Sequence, residues 1–470
     1  MSITIGTGIF LIVALLVYIF NKKDYKKMFM SFFMVMIMTK FFINIGYFVK
    51  IGSFDIMYDE FFTFLTFISA LKYLTKNNSS LTYKKNIFCL IISISFSIIL
   101  NFLLSYNEYG IRYGGSWDDY FLGTESFKIL TPSFNSLLQI VRIFMFFTIY
   151  YTFSKEISKS KFKKMMNVMF CISIFAVIMF IIEFVQKNML HSYFLNDFYN
   201  KIFGLNDATY TGLGSFHNGY YSVTFLYREQ SHLSEYFFFI SLMMLLSSFI
   251  FKKKKYFLVS LLMIGASILS ISFTSLLCAG IYYLVFSYLV IKHSKKYSKF
   301  AIMLLIVIIC ITPFLINKSI FSERINNSLY MILNFNSQGV YAFNSENVRL
   351  FSVMYNYDLF RSHFLFGLGI GTSYSHSGLS TTLVSIGSVG LVLYFITYKN
   401  LITKNLRRKY PYVLTFIIMG FFLFTGVSNL MYNDGLALFI MGYSLFLRND
   451  IVVKEGFRKN EHITTCSTIS

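Results

Sequence analysis

The chain has 470 residues, of which 56% are hydrophobic and 13% charged, with 58 Phe and 35 Tyr, a balance that excludes an ordinary soluble domain. Its formal charge of +21 would suggest nucleic acid in a soluble protein, but the basic residues sit in clusters between apolar runs. That placement reads as membrane topology and leaves no role for nucleic acid.

Taken in order, the apolar runs predict an all-α polytopic integral membrane protein of about 12–14 transmembrane helices, with short interfacial helices on its extracytoplasmic loops. Ile3 to Phe20 lacks a basic start and a small-residue cleavage site, and Lys22, Lys23, Lys26 and Lys27 follow it, so it reads as an uncleaved span with its N-terminus extracytoplasmic. Further spans are expected at Met28 to Val49, Ile56 to Leu74, Ile87 to Leu104, Ser136 to Phe153, Met165 to Val185 and Leu233 to Phe251. The runs Tyr256 to Ile291 and Tyr412 to Leu447 are too long for one crossing, so each is split into a hairpin, around Ser270 to Ser275 and Ser428 to Gly435. Phe300 to Ile316 and Leu379 to Tyr398 complete the set, giving one multi-span domain over 1–447 and a short cytoplasmic tail over 448–470.

Basic clusters at Lys22 to Lys27, Lys155 to Lys164, Lys252 to Lys255, Lys292 to Lys299 and Lys404 to Lys409 mark the cytoplasmic side. The large loops 105–135, 186–232 and 317–378 then fall outside. They or their interface carry Arg112, Arg228, Arg324, Arg349 and Arg361, arginines for which topology gives no reason. The five cysteines lie in expected spans or the tail, so the outer loops hold no disulfide framework and no zinc site. Asp55, Asp59 and Glu60, and Asp118 with Asp119, read as solvated carboxylates rather than a metal site.

Glu346 to Leu391 is the polar heart of the chain. Val348 to Phe360 is expected to form a helix along the outer membrane surface, flanked by Arg349 and Arg361, whose forked guanidiniums suit phosphate oxygens. The FGLGIG string, Phe366 to Gly371, lacks the spacing and the preceding strand of a dinucleotide fingerprint. It reads instead as a turn, either a plain re-entry or a bare backbone able to approach a phosphate. His376 follows, with an ordinary pKa near 6.5 that suits a general base. A second constellation, SVTFLYREQSHLSEY from Ser222 to Tyr236, sets Arg228, Glu229, Ser231 and His232 at the mouth of a span. Arg142 lies inside a span, where charge faces a partner or a cavity.

These motifs carry a resemblance over most of the chain to the integral-membrane family of O-antigen and capsular polysaccharide polymerases, which also contains the O-antigen ligases. The specific parts are REQSHLSEY, the order arginine, glycine turn, histidine, glycine pair from Arg349 to Gly390, and the serine-rich ISFTSLL of Ile271 to Leu277. Gln230 stands where the family often has proline, and Ser377 where ligases often have asparagine; the second difference favours a polymerase. The resemblance implies a glycosyltransferase that needs no metal or cofactor, in the bacterial cytoplasmic (inner) membrane with its C-terminus cytoplasmic. It would use undecaprenyl-pyrophosphate-linked oligosaccharide on the outer face, with a chain-length regulator as partner protein. By the same resemblance Arg228 and Arg349 hold the pyrophosphate, His376 acts on the acceptor hydroxyl, and Glu229 and His232 support that site, so Arg228 and Glu229 are expected close to Arg349. Arg142 and Arg361 are the remaining candidates for substrate binding. The alternatives are a ligase acting on lipid A core and, from another class, a lipid-linked oligosaccharide flippase or transporter.

Overall fold

A computed structural model describes residues 2–42, 47–51, 54–76, 84–104, 106–112, 115, 117–156, 159–204, 216–217, 220–221, 223–227, 230–270, 273–293 and 345–403. The fold is mostly helical. In chain order the elements are β1 (Ser2–Ile3), α1 (Ile5–Asn21), α2 (Tyr25–Phe42), β2 (Tyr47–Ile51), β3 (Phe54–Met57), α3 (Tyr58–Lys76), α4 (Lys84–Leu104), β4 (Tyr109–Gly110), α5 (Trp117–Phe121) and β5 (Lys128–Ile129). Then follow α6 (Phe134–Glu156), α7 (Lys159–Asn188), α8 (Phe194–Phe203), β6 (Phe216–His217), β7 (Tyr220–Tyr221), α9 (Gln230–Phe251), α10 (Lys254–Leu269), α11 (Phe273–His293), α12 (Ser345–Ser362) and α13 (Gly378–Thr403).

Among the described residues two helical stretches, Ser136–Phe153 in α6 and Lys163–Asn188 in α7, are long and apolar enough to cross a membrane, and shorter apolar stretches occur in α1, α4, α9, α11 and α13. The long run after Tyr256 is divided between α10 and α11, within the serine-rich segment where the split is expected. The run expected from Met28 to Val49 ends instead at Phe42, and Tyr47–Ile51 pairs antiparallel with both β1 and β3. Aromatic and β-branched residues in YFVKI suit an extended strand. The all-α expectation therefore gives way to short two- and three-stranded sheets between the helices. The expected spans at 300–316 and 412–447, Arg324 and the tail 448–470 lie outside the described residues.

The chain divides into two compact units, one of residues 1–69 and 160–330, the other of 70–159 and 331–470. In the first, Thr4 caps α1: its hydroxyl accepts from Thr7 N at 3.1 Å while Thr7 Oγ1 accepts from Thr4 N at 3.2 Å. The Thr4 and Tyr58 hydroxyls, 2.7 Å apart, tie that cap to the start of α3. α9, α10 and α11 pack on a seam of serines, with Ser234 Oγ 2.8 Å from Ser270 Oγ, Ser241 Oγ donating to Ser260 O at 2.7 Å, and Ser260 Oγ 2.7 Å from Tyr282 Oη. Such side chains let helix backbones approach and bond to one another. α7 carries a buried ion pair, Lys187 Nζ to Glu183 Oε1 at 2.7 Å, with both side chains 0% exposed.

In the second unit α4 packs on α6 and α13, and α12 packs on α5 and α13. α4 turns Ser93, Ser97 and Asn101 inward and Ile92, Phe96, Ile99 and Leu103 outward. Ser97 Oγ donates to Ser385 O at 3.1 Å, and Asn101 Nδ2 donates to Leu130 O at 3.0 Å and also to Leu368 O. α13 is broken at Gly387, whose φ of 63° and ψ of −172° suit glycine alone.

Candidate functional site

The site lies in the second unit, where α12, the turn after it, the start of α13 and the 106–131 loop meet. α12 buries Val348, Ser352 and Asn356, which recur every four residues on one face, with Leu359 and Phe360 continuing that face. Val348 joins Ile111 and Trp117 in a buried cluster ringed by Tyr120, Phe121, Phe127, Phe351, Tyr355 and Tyr374. Aromatic packing thus anchors the 106–131 loop on α12.

The backbones of Arg349 and His376 are joined through Ser352. The Ser352 hydroxyl donates to the backbone oxygen of Arg349 at 2.7 Å and accepts the backbone N–H of His376 at 3.1 Å. One side chain therefore ties the backbone at Arg349 to the backbone at His376. The Arg349 side chain is exposed; His376 is half-buried, with its Nε2 inside the protein and its ring 5.6 Å from that of Tyr374 in an edge-on arrangement.

A net of hydroxyls fixes the His376 turn. Ser375 Oγ accepts from Ser377 N at 3.1 Å, Thr381 Oγ1 accepts from Ser375 N at 3.2 Å, and Thr381 N opens α13 by donating to Ser377 O at 3.0 Å. Serine before a helix start favours this local bonding over continued helix. Ser373 Oγ then donates to Asn356 Oδ1 at 2.8 Å, tying the turn back to the inner face of α12. The Nδ2 atom of Asn356 is buried and has no hydrogen-bond partner among the described residues.

Over Gly367 to Gly369 the glycine turn does not form an open phosphate cradle. The N–H groups of Gly367, Leu368 and Gly369 donate to His363 O, Val384 O and Ser385 O at 2.9, 2.6 and 3.0 Å. These donors are already used, and the bare backbones serve close packing. A Cβ on Gly367 would lie 2.4 Å from Val384 O, and one on Gly387 would lie 2.3 Å from Leu365 O. At Gly367 to Gly369 a closely packed turn is the reading that fits.

Arg361 stands apart from this constellation. It lies twelve residues along α12 from Arg349, about 18 Å along the axis and about 120° around it. Its side chain is 70% exposed, 3.9 Å from Asp358 and over the Tyr357 ring at 5.0 Å. It therefore lies on the exposed face of α12, apart from Arg349. Arg142, half-buried on α6, has Nη1 3.4 Å from Gln139 Oε1. His232 lies in the first turn of α9, while Arg228 and Glu229 lie outside the described residues. Glu60 accepts the Met57 N–H at 3.3 Å and so caps the start of α3; the Asp55 and Asp118 side chains are outside the described residues.

Several participants are not obvious from sequence. Trp117 Nε1 donates to Tyr374 O at 2.7 Å, Tyr374 N donates to Ile111 O at 3.2 Å, and Arg112 pairs with Ser373 as an antiparallel bridge. His363, directly after α12, has Nε2 3.0 Å from Glu108 Oε1, with the Tyr106 ring centroid 4.3 Å away. The one legible signal was the four-residue recurrence of Val348, Ser352 and Asn356; the other contacts join residues more than two hundred positions apart. No protein-family model matches the chain, and no curated protein matches it.

Proposed function

We propose that the chain is a multi-span membrane protein that polymerises polysaccharide repeat units on the outer face of the bacterial cytoplasmic membrane. It would transfer the growing glycan from undecaprenyl pyrophosphate to a sugar of the incoming lipid-linked repeat. The observation that carries this reading is the junction of Arg349 and His376 at Ser352. A water-soluble helix hides its apolar stripe and shows its polar one. The reverse arrangement of α4, with Ser93, Ser97 and Asn101 inside and Phe88, Ile92 and Ile99 outside, supports a lipid setting. α7 supports it in the same way, exposing Phe175, Ile178 and Ile182 and burying Glu183 and Lys187.

In the proposed step the acceptor hydroxyl oxygen bonds to the anomeric carbon, and the bond from that carbon to the pyrophosphate oxygen breaks. The electron pair leaves with undecaprenyl pyrophosphate, and the hydroxyl proton passes to His376. Nε2 of His376 faces the interior, so Nδ1 is the nitrogen assigned to that proton. Arg349 stabilises charge growing on the leaving group, where a fixed cation acts more strongly than in water. Ser352 holds the two backbones in register.

The ligase alternative uses the same atoms with lipid A core as acceptor. Deleting the gene separates the two: a polymerase defect leaves single-repeat products, whereas a ligase defect leaves full-length chains on the undecaprenyl carrier. The buried Glu183–Lys187 pair is the observation that favours the transporter reading, because buried charge inside an apolar helix often marks a pathway. Movement of a labelled lipid-linked sugar across liposomes without lengthening would select it.

A further inference from the structure

The first unit gathers lysines from two helices at one point. Asn167, near the start of α7, accepts through its Oδ1 from Tyr256 Oη at 2.7 Å and from Lys255 Nζ at 3.0 Å, which seats the first turn of α10 on α7. The Lys255 ammonium also lies over the rings of Phe170 and Tyr256, 4.5 and 5.2 Å from their centroids. Lys163 and Lys164 precede Asn167 by four and three residues, so they lie one turn from it on the α7 surface. Lys252, Lys253 and Lys254 run directly into Lys255, and all six of these lysines are exposed.

Among the described residues none of these lysines forms an ion pair, and the one side chain that fixes Lys255, Asn167, is neutral. The basic turn at Lys22 to Lys27 differs, because it contains Asp24, 3.5 Å from Lys27. Next to the lysines both helices turn apolar side chains outward. Val168, Phe175 and Ile178 continue from Lys164 along the exposed face of α7, and Leu258, Leu261 and Leu262 continue from Lys254 along that of α10. Uncompensated positive charge at the end of an outward-facing apolar ridge matches a bilayer, whose anionic headgroups lie above its acyl chains. A nucleic acid or an acidic protein would neutralise the lysines and leave the ridges uncovered.

We propose that the lysines of α7 and α10 form a binding site for the phosphodiester headgroup of an anionic phospholipid, whose acyl chains lie on the two apolar ridges. Lys255 is the fixed contact, since an ammonium has three donors and Asn167 engages one of them. The other lysines supply attraction over the width of the headgroup layer. The site rests on the reading of the chain as a membrane protein and is independent of the reaction assigned to the second unit.

The test adds phosphatidylglycerol or phosphatidylcholine to the full chain in detergent and reads bound lipid by native mass spectrometry, together with the thermal midpoint. Wild type should prefer phosphatidylglycerol by about tenfold or more, and the preference should shrink as salt is added. Lys163→Gln, Lys164→Gln and Lys255→Gln combined should remove most of that preference, whereas Lys22→Gln with Lys23→Gln should change it by less than about twofold. Asn167→Asp keeps an acceptor for Lys255 and Tyr256 but sets a negative charge among the lysines. It should lose affinity for phosphatidylglycerol while its midpoint without added lipid stays at or above that of wild type. Equal affinity for the two lipids, an equal loss in the Lys22 and Lys23 variant, wild-type affinity in Asn167→Asp, or displacement of the lipid by glycerol phosphate or polyglutamate at equal concentration would overturn the proposal. A chain that enters bilayers without preferring phosphatidylglycerol overturns the site alone; one that stays monodisperse without detergent and binds neither lipid overturns the membrane reading with it.

Discussion

Gly387 shows how a single residue sets the geometry that the site depends on. Its φ of 63° and the approach of Leu365 O leave no room for a side chain, and around it Ser388 N and Val389 N donate to Phe364 O and Leu365 O at 2.8 and 3.1 Å. Gly387→Ala should therefore destabilise the protein by about 2–4 kcal/mol, through backbone strain and a clash with backbone that cannot yield. Thermal unfolding in detergent measures this, and an unchanged midpoint would contradict it. Tyr355 gives a second test. Burial, followed by the neighbouring Glu108 carboxylate, raises its phenol above the ordinary value of 10.0, and its hydroxyl donates to Tyr109 O at 2.6 Å. The folded state then holds the proton more tightly than the unfolded chain. The resulting stability is full below about pH 10 and is lost as pH rises through the folded pKa. Wild type should lose more stability than Tyr355→Phe between neutral and strongly alkaline pH; parallel curves would refute the assignment. At this scale the motif order singles out Arg349 and His376 as candidates. It does not single out Ser352, Arg112 or the Glu108–His363 pair, because a contact between distant residues leaves no local pattern.

Among the elements, α4 is the most informative. Period and length identify it as an apolar helix, but which face turns inward follows from its neighbours: Ser97 bonds to α13, and Asn101 to Leu130 and to the turn before α13. In a cysteine-free background, Ile92→Cys should react with a lipid-phase maleimide and Ser93→Cys should not, since Ile92 is 49% exposed and Ser93 8%. Preferential reaction of Ile92→Cys with a water-soluble reagent would contradict a lipid-facing α4. The helix boundaries followed the apolar runs closely, and α12 covers the expected surface helix. The strands at 47–57 were missed because Tyr47, Phe48 and Val49 extend an apolar run without changing its composition. The glycine turn was half legible: glycines marked the reversal, while the use of their amides depends on a backbone partner at 384–385.

At the scale of the whole molecule, composition pointed to many apolar helices, and the described residues are organised that way. Long-range polar contacts concentrate where the 106–131 loop, the turn after α12 and the start of α13 meet. At that meeting point one buried serine, Ser352, joins the backbone of Arg349 to that of His376. The central claim is that this junction is the reaction centre of a repeat-unit polymerase. The most direct test is elongation of a defined undecaprenyl-pyrophosphate-linked repeat by the purified full chain, compared with Arg349→Ala and His376→Ala variants that are equally inserted and folded. The account predicts a ladder of multi-repeat products from wild type and a loss of about 100-fold or more in each variant. A wild-type chain that leaves the substrate at one repeat, or variants that elongate as fast as wild type, would contradict it.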